Sequence, residues 1–201
     1  MKCRSKSKNR SVTTNTTVKK GKGTGAARRI WLRRLFTGCL VLGWMFLIGS
    51  FSAQTGTESG GQSRSVAKQV VAMEEKLSGR SYTQKEKDAR IEELQFPIRK
   101  LAHMAEYAIL AVLVALHLGC YAFICRRFLL RMLLTFGLSV AYAAVDELHQ
   151  LFVAGRSGRF LDVCIDGIGA FVGILCVLVC DKALVQLGVF PKKKKNINKI
   201  D

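Results

Sequence analysis

Between residues 146 and 166 the chain reads DELHQLFVAGRSGRFLDVCID, which places four carboxylates, two arginines and a histidine between apolar runs. Arg99, His103 and Glu106 form a second charged group, at the mouth of another apolar run. On a helix that turns about 100° per residue, these three fall within an arc of about 60°. Tyr142, Asp146 and His149 share a face if the helix that carries them continues that far, and Arg159, Asp162, Asp166, Gly169 and Gly173 line up along one side of another. Glu147 points about 100° away from Asp146, so the two need not share a partner. The residue types suit two chemistries. Arginines bind anions through a planar fork. His103, Glu106, Asp146, Glu147, His149, Asp162 and Asp166 are metal-ligand or acid–base types, at HxxE and DxxH spacings one helical turn long. The second chemistry has weaker support, because no HExxH motif occurs and arginines beside a cation oppose it.

The elements that position these residues read as membrane spans. Leu35 to Phe51 carries no charge; Leu101 to Ile124 is apolar except for His103, Glu106 and His117; Phe128 to Val145 carries only Arg131; Phe160 to Val179 carries only Asp162 and Asp166. A bilayer core needs about 20 such residues. The third run is short, so Arg131 is expected to snorkel toward the headgroups. Ser50 and Ser52 resemble a signal-cleavage site, yet the long basic segment before the first run favours a retained helix. A net charge of +18 with 32 Lys and Arg would suggest nucleic acid in a soluble protein. Here the basic residues flank apolar segments and no aromatic-interleaved basic motif appears, so no nucleic-acid partner is expected.

Charge placement orients the chain. Met1 to Arg34 holds twelve basic and no acidic residues, Arg126, Arg127 and Arg131 mark the connection between the second and third runs, and the tail from Lys182 holds six lysines. The positive-inside rule puts all three in the cytoplasm. The expected fold is therefore all-α: an integral membrane four-helix bundle with both termini cytoplasmic. A basic disordered tail is expected over 1–34, the membrane domain over 35–180 (spans 35–51, 101–124, 128–145 and 160–179, external loop 52–100), and a second basic tail over 181–201. In the loop, Val66 to Leu77 and Gln84 to Gln95 read as short helices. Thr83 and Glu86 form a capping box for the second, and Pro97 is suited to open the next helix. None of the seven cysteines lies between Ser52 and Lys100, which argues against an external disulfide framework. They lie almost wholly in the spans or on the inner side and read as small apolar residues in lipid or helix contacts; His117 reads as a helix contact, and Trp31 and Trp44 as interfacial or packing aromatics.

Charges facing hydrocarbon are costly, so the polar groups are expected to turn inward and pair or line a wet cavity. Arg99, His103, Glu106, Asp146, Glu147, His149, Gln150, Arg156, Arg159, Asp162 and Asp166 then form one cluster at the outer rim of the bundle. Gly169 and Gly173 make a GxxxG pair on the same face as the carboxylates, where a neighbouring backbone can approach closely.

Three stretches carry a resemblance: RKLAHMAEYAILA (Arg99 to Ala111), DELHQLFVAGRSGRFLDVCIDGIGAFVG (Asp146 to Gly173) and FSAQTGTESGGQS (Phe51 to Ser63). Together they resemble the VanZ-like family of small bacterial membrane proteins over roughly Leu35 to Val179. Ala154 departs from the pattern, since family members often carry proline before the Gly-Arg pair. The resemblance implies a multi-pass protein of the bacterial cell envelope, whose namesake is linked to low-level resistance to teicoplanin, a lipid-tailed glycopeptide. It brings no defined reaction with it.

Three functions follow as expectations. In the first, the outward cluster contacts the head group of an amphiphilic envelope molecule, with membrane lipids or a lipid-tailed glycopeptide as partners and no cofactor. In the second, the chain is a membrane-embedded, metal-dependent enzyme acting on a lipid-linked substrate. In the third, the cluster only holds the helices together.

The orientation is testable by labelling. With native cysteines replaced, Ser157→Cys is expected to react with a membrane-impermeant maleimide in intact cells and Ser5→Cys only after lysis; the reverse pattern inverts the topology.

Overall fold

The computed structural model describes residues 23–186. Expectations for 1–22 and 187–201 lie outside the described residues. The described elements are all helical: α1 (Gly23–Ser52), α2 (Gly56–Ser78), α3 (Gln84–Gly119), α4 (Ala122–Arg126), α5 (Phe128–Gln150) and α6 (Phe160–Gln186). Four of them, α1, α3, α5 and α6, contain stretches long and apolar enough to cross a membrane.

The spans sit where the apolar runs predict, but several boundaries move. Residues 23–34, expected in the basic tail, form the first three turns of α1. The third apolar run continues through the charged residues, so α5 ends at Gln150 and carries Asp146 and Glu147 on a span-forming helix. Residues 56–78 form one helix rather than a short one from Val66, and its start is fixed by a capping box between Thr55 and Glu58. In that box the Thr55 backbone N–H and hydroxyl both donate to the Glu58 carboxylate, which holds its pKa below the usual range.

The predicted capping box of Thr83 and Glu86 is present, but the helix it opens does not stop at Gln95. Pro97 lies inside α3 rather than at the head of a new helix. Proline removes the donor that would serve the Glu93 carbonyl four residues earlier. Glu93 is exposed, so solvent can take that carbonyl. At 36 residues α3 is about 54 Å long by the helical rise, against a bilayer core of about 30 Å. Its first turns therefore stand beyond the span and pair with α2 through Ala67, Val71 and Ile91.

The central helix is α3, which packs against α1, α2, α5 and α6. One apolar core joins Ile48, Tyr107, Leu110, Val114 and Ala143 from α1, α3 and α5, with Trp44 and Tyr142 against it. A second joins Ala111, Ala115, Met132, Ala170, Ile174 and Val177 from α3, α5 and α6. Trp44 is a packing residue whose indole N–H donates to the Glu106 carbonyl at 2.9 Å. At the far end of α3 from the charged cluster, His117 Nδ1 lies 2.9 Å from the Thr37 hydroxyl, a helix contact as expected.

The tightest contact is between α3 and α6. A Cβ on Gly169 would overlap the Met104 carbonyl, and one on Gly173 would overlap the Ala108 carbonyl. Both residue numbers rise by four, so the helices run parallel with the glycine ridge of α6 against the backbone of α3. Arg131 departs from expectation. It does not snorkel but is 2% exposed within the protein, with its guanidinium 5.6 Å from the centre of the Phe128 ring. The protein interior, rather than the headgroup layer, surrounds its side chain.

The glycine contact predicts that Gly173→Ala costs about 1–3 kcal/mol through overpacking, read as a lower detergent melting temperature. Gly137, around which an added Cβ meets nothing within 4 Å, is the control. Equal shifts for Gly173→Ala and Gly137→Ala would show that the ridge is not a packing constraint.

Candidate functional site

The charged stretch after α5 resolves into separate contacts. Ser52, the last residue of α1, donates its hydroxyl to Asp146 Oδ2 at 2.7 Å. The Gln150 amide donates to Ser52 Oγ at 2.7 Å and to Asp146 Oδ2 at 3.4 Å. All three residues are buried. Glu147 turns elsewhere, as the helical offset from Asp146 requires, and its Oε2 accepts the Arg159 backbone N–H at 2.9 Å. Arg159 immediately precedes α6, so this carboxylate sits at the positive end of the α6 dipole. Asp162, on the first turn of α6, pairs with Lys100 Nζ at 2.5 Å. Lys100 was absent from the expected cluster because it sits one position round α3 from the Arg99 stripe.

The loop joining α5 and α6 is tied to the end of α1. Arg156 Nε donates to the Gln54 carbonyl at 3.2 Å and Nη2 to the Phe51 carbonyl at 3.4 Å. Part of the guanidinium fork therefore serves one carbonyl in the last turn of α1 and one just beyond its end. Burial pushes the Arg156 pKa down, and Arg99 acts in the same sense, while Asp146, Glu147 and Glu106 oppose both. Arginine nonetheless stays charged at any physiological pH. The Gly56 N–H donates to the Ala154 carbonyl at 3.1 Å. That contact uses only the carbonyl of residue 154, which alanine provides as well as proline. Gly155 follows with φ 71°, a left-handed turn.

Two cavities meet at this tether. One, of about 240 Å³, lies between the end of α1, α2 and α3, and Ser59, Gln62, Arg99, His103, Glu106 and Arg156 line it with apolar Phe51, Val66 and Ile98. The other, of about 220 Å³, lies between α3, the 151–159 loop and the start of α6, with Arg99, Lys100, His103, Arg156, Arg159 and Asp162 in its wall. Arg99, His103 and Arg156 line both. His103 Nδ1 stands 3.4 Å from Glu106 Oε2. That is an ion-pair distance without hydrogen-bond geometry, so Glu106 Oε2 stays buried with no hydrogen-bond partner, as does Arg99 Nε.

The remaining expected residues are divided. Asp166 is 2% exposed on α6, near enough to His103 for their charges to interact. Tyr107, which the sequence did not single out for the cluster, is fully buried with a hydroxyl that makes no hydrogen bond, among Asp146, Asp166 and Glu106. His149 is exposed and lines neither cavity. It lines a separate, mostly apolar groove between α1 and α5, together with Phe46, Gly49, Tyr142 and Asp146. Three residues beyond Asp146 it is turned by about 60°, enough to leave the buried node. Gly169 and Gly173 lie beneath the cluster as the helix contact. Among the described residues no three His, Cys, Asp or Glu side chains are grouped so as to hold a metal ion. The HxxE spacing brings His103 to Glu106 as a pair, while at the DxxH spacing Asp146 is buried and His149 exposed.

Ser52 and Lys100 are the residues that pattern reading missed. Lys100 follows Arg99 directly, and its own face of α3 was the available signal. Ser52 carried no signal beyond its small size, because its partner lies 94 residues away.

The family model described as VanZ/LLP1 matches residues 37–181 of the chain. No curated protein and no solved structure matches it.

The buried node yields a prediction. Ser52→Ala removes a donor from a buried carboxylate and is expected to cost about 1–3 kcal/mol, measured as detergent thermal stability. In an Asp146→Asn background the same change is expected to cost clearly less, since the residues act through one bond. Equal costs in both backgrounds would show that the hydroxyl does not act through Asp146.

Proposed function

The chain belongs to the VanZ-like family, and on that premise we propose that this multi-pass membrane protein binds the anionic head group of an amphiphilic molecule in the polar cleft of Arg99, His103, Glu106 and Arg156. In this reading it sits in the bacterial cell membrane with both termini cytoplasmic and the cleft at the outer rim. Occupancy of the cleft alters susceptibility to lipid-tailed glycopeptides such as teicoplanin.

One observation carries the reading. Arg99 Nε is a buried donor without a hydrogen-bond partner, in the wall that two cavities share. A buried donor left unpaired costs about 1–3 kcal/mol, which an anionic acceptor would recover. Five other cluster members, with Ser52 and Lys100, differ from it. The Ser52–Asp146–Gln150 node, the Glu147 contact with Arg159 and the Lys100–Asp162 pair are each satisfied within the protein. Those contacts support a pinning role for these residues but do not account for an open cleft with an unpaired arginine edge. Arg156 then acts as a tether that holds the loop over the cleft and adds positive charge. Phe51, Val66 and Ile98 supply apolar wall beside the polar groups, which suits a ligand with a lipid tail.

The test is to express the full chain in a bacterial host, purify it in detergent and quantify co-purifying amphiphiles by mass spectrometry. Arg99→Gln is expected to lower the bound anionic amphiphile about tenfold or more, the loss of one charge-assisted bond, at unchanged protein yield. Teicoplanin susceptibility should shift toward that of cells without the protein. An equal amphiphile load on both proteins would refute the head-group site.

A further inference from the structure

The cleft offers more than a place for an anion. Two residues that line the 240 Å³ cavity each hold a buried atom without a hydrogen-bond partner, of opposite character: Arg99 Nε, a donor, and Glu106 Oε2, an acceptor. A ligand that supplied only an anion would satisfy the arginine and set a second negative charge beside the Glu106 carboxylate. His103 Nδ1 stands at ion-pair distance from Glu106 Oε2, 3.4 Å, but outside hydrogen-bond geometry, so that oxygen still lacks a donor.

Both atoms project from α3. Their backbones are seven residues apart, about 10 Å along the helix axis. His103 fills the turn between them, and the long arginine side chain can span part of the distance. The two unpaired atoms thus call for an acceptor and a donor in one ligand. The surrounding charge assigns the ends. The neighbouring cavity, which shares Arg99, His103 and Arg156, adds Lys100 and Arg159, and its one carboxylate, Asp162, is already paired with Lys100. The anion therefore belongs on the side of Arg99, Arg156 and Arg159. The donor belongs beside Glu106, whose Oε2 has no hydrogen-bond donor within the protein.

Resting on the head-group reading above, we infer that the ligand is zwitterionic: a phosphate ester that also carries a primary ammonium, the head group of an ethanolamine phospholipid, with phosphate at Arg99 and ammonium at Glu106. A quaternary ammonium lacks the N–H that Glu106 Oε2 requires. A glycerol head group keeps the phosphate but offers no countercharge.

The experiment titrates the full chain in detergent with dihexanoyl phosphatidylethanolamine, dihexanoyl phosphatidylglycerol and free O-phosphoethanolamine by calorimetry. The ethanolamine lipid is expected to bind about tenfold or more tightly than the glycerol lipid, the effect of one charge-assisted hydrogen bond. Free phosphoethanolamine should bind more weakly than its lipid. Glu106→Gln should bring the ethanolamine lipid down to the glycerol lipid's affinity without weakening the latter, whereas Arg99→Gln should weaken both lipids.

Equal or tighter binding of the glycerol lipid to the unmodified protein overturns the zwitterion and leaves the anionic head-group site standing. A preference that survives Glu106→Gln also overturns it. Free phosphoethanolamine binding as tightly as the lipid would replace the lipid with a soluble ligand. If neither lipid binds, the head-group reading and this inference both fail. Should Glu106→Gln not fold, the comparison of the two lipids on the unmodified protein decides.

Discussion

The closeness of α3 and α6 is the constraint on which the charged cluster depends. Gly169 and Gly173 let the α3 backbone sit directly on α6, with the carbonyls of Met104 and Ala108 where side chains would otherwise stand. Because the helices run parallel, that contact also fixes register. About two turns toward the charged end, Lys100 meets Asp162, and Arg99, His103 and Asp162 line one cavity. A larger residue at either glycine would separate the helices and stretch these polar contacts together. The small residues and the charges are therefore one feature, even though only the glycines touch backbone.

A charge near the centre of a bilayer costs on the order of 2.5–3.5 kcal/mol on insertion scales, and the protein handles its charges in three ways. Asp146 is turned inward and hydrogen-bonded by Ser52 and Gln150. Glu147 is placed at a helix N-terminus, where the open backbone N–H of Arg159 and the dipole both favour an anion. Asp162 is given a lysine from the facing helix. Arg99 follows none of these, and Glu106 has His103 at ion-pair distance, yet each keeps a buried polar atom without a hydrogen-bond partner. Both residues line one cavity, whereas Tyr107, whose buried hydroxyl also makes no hydrogen bond, does not line it.

The α5–α6 loop links the cluster to the first span. Arg156 reaches back to the carbonyls of Phe51 and Gln54, and Gly56 donates to Ala154. A Cβ on Gly56 would overlap the Gly155 carbonyl, so two backbones cross there with no room for side chains. This crossing gives the FSAQTGT stretch after α1 and the AGRSG stretch before α6 a joint structural role, as the two sides of a single closure over the cleft.

By itself the sequence determined what depends on local period and composition. Four apolar runs mark the span-forming helices because about 20 apolar residues have few other uses. The GxxxG pair was legible as a packing face because its spacing is one helical turn, and Thr83 with Glu86 announced a helix start. The divergence of Asp146 and Glu147 followed from helical rotation alone. Tertiary structure decided whatever depends on partners far apart in the chain. Ser52 became a ligand of Asp146, Lys100 of Asp162, and Arg156 of the α1 terminus only when the helices packed, because no local pattern encodes a contact across 94 residues. The same packing buried Arg131 instead of letting it snorkel and carried α3 straight through Pro97, where pairing with α2 outweighs one missing hydrogen bond. It also left His149 outside the cleft, since a turn of about 60° between neighbours on one helix face matters only once another helix stands beside it.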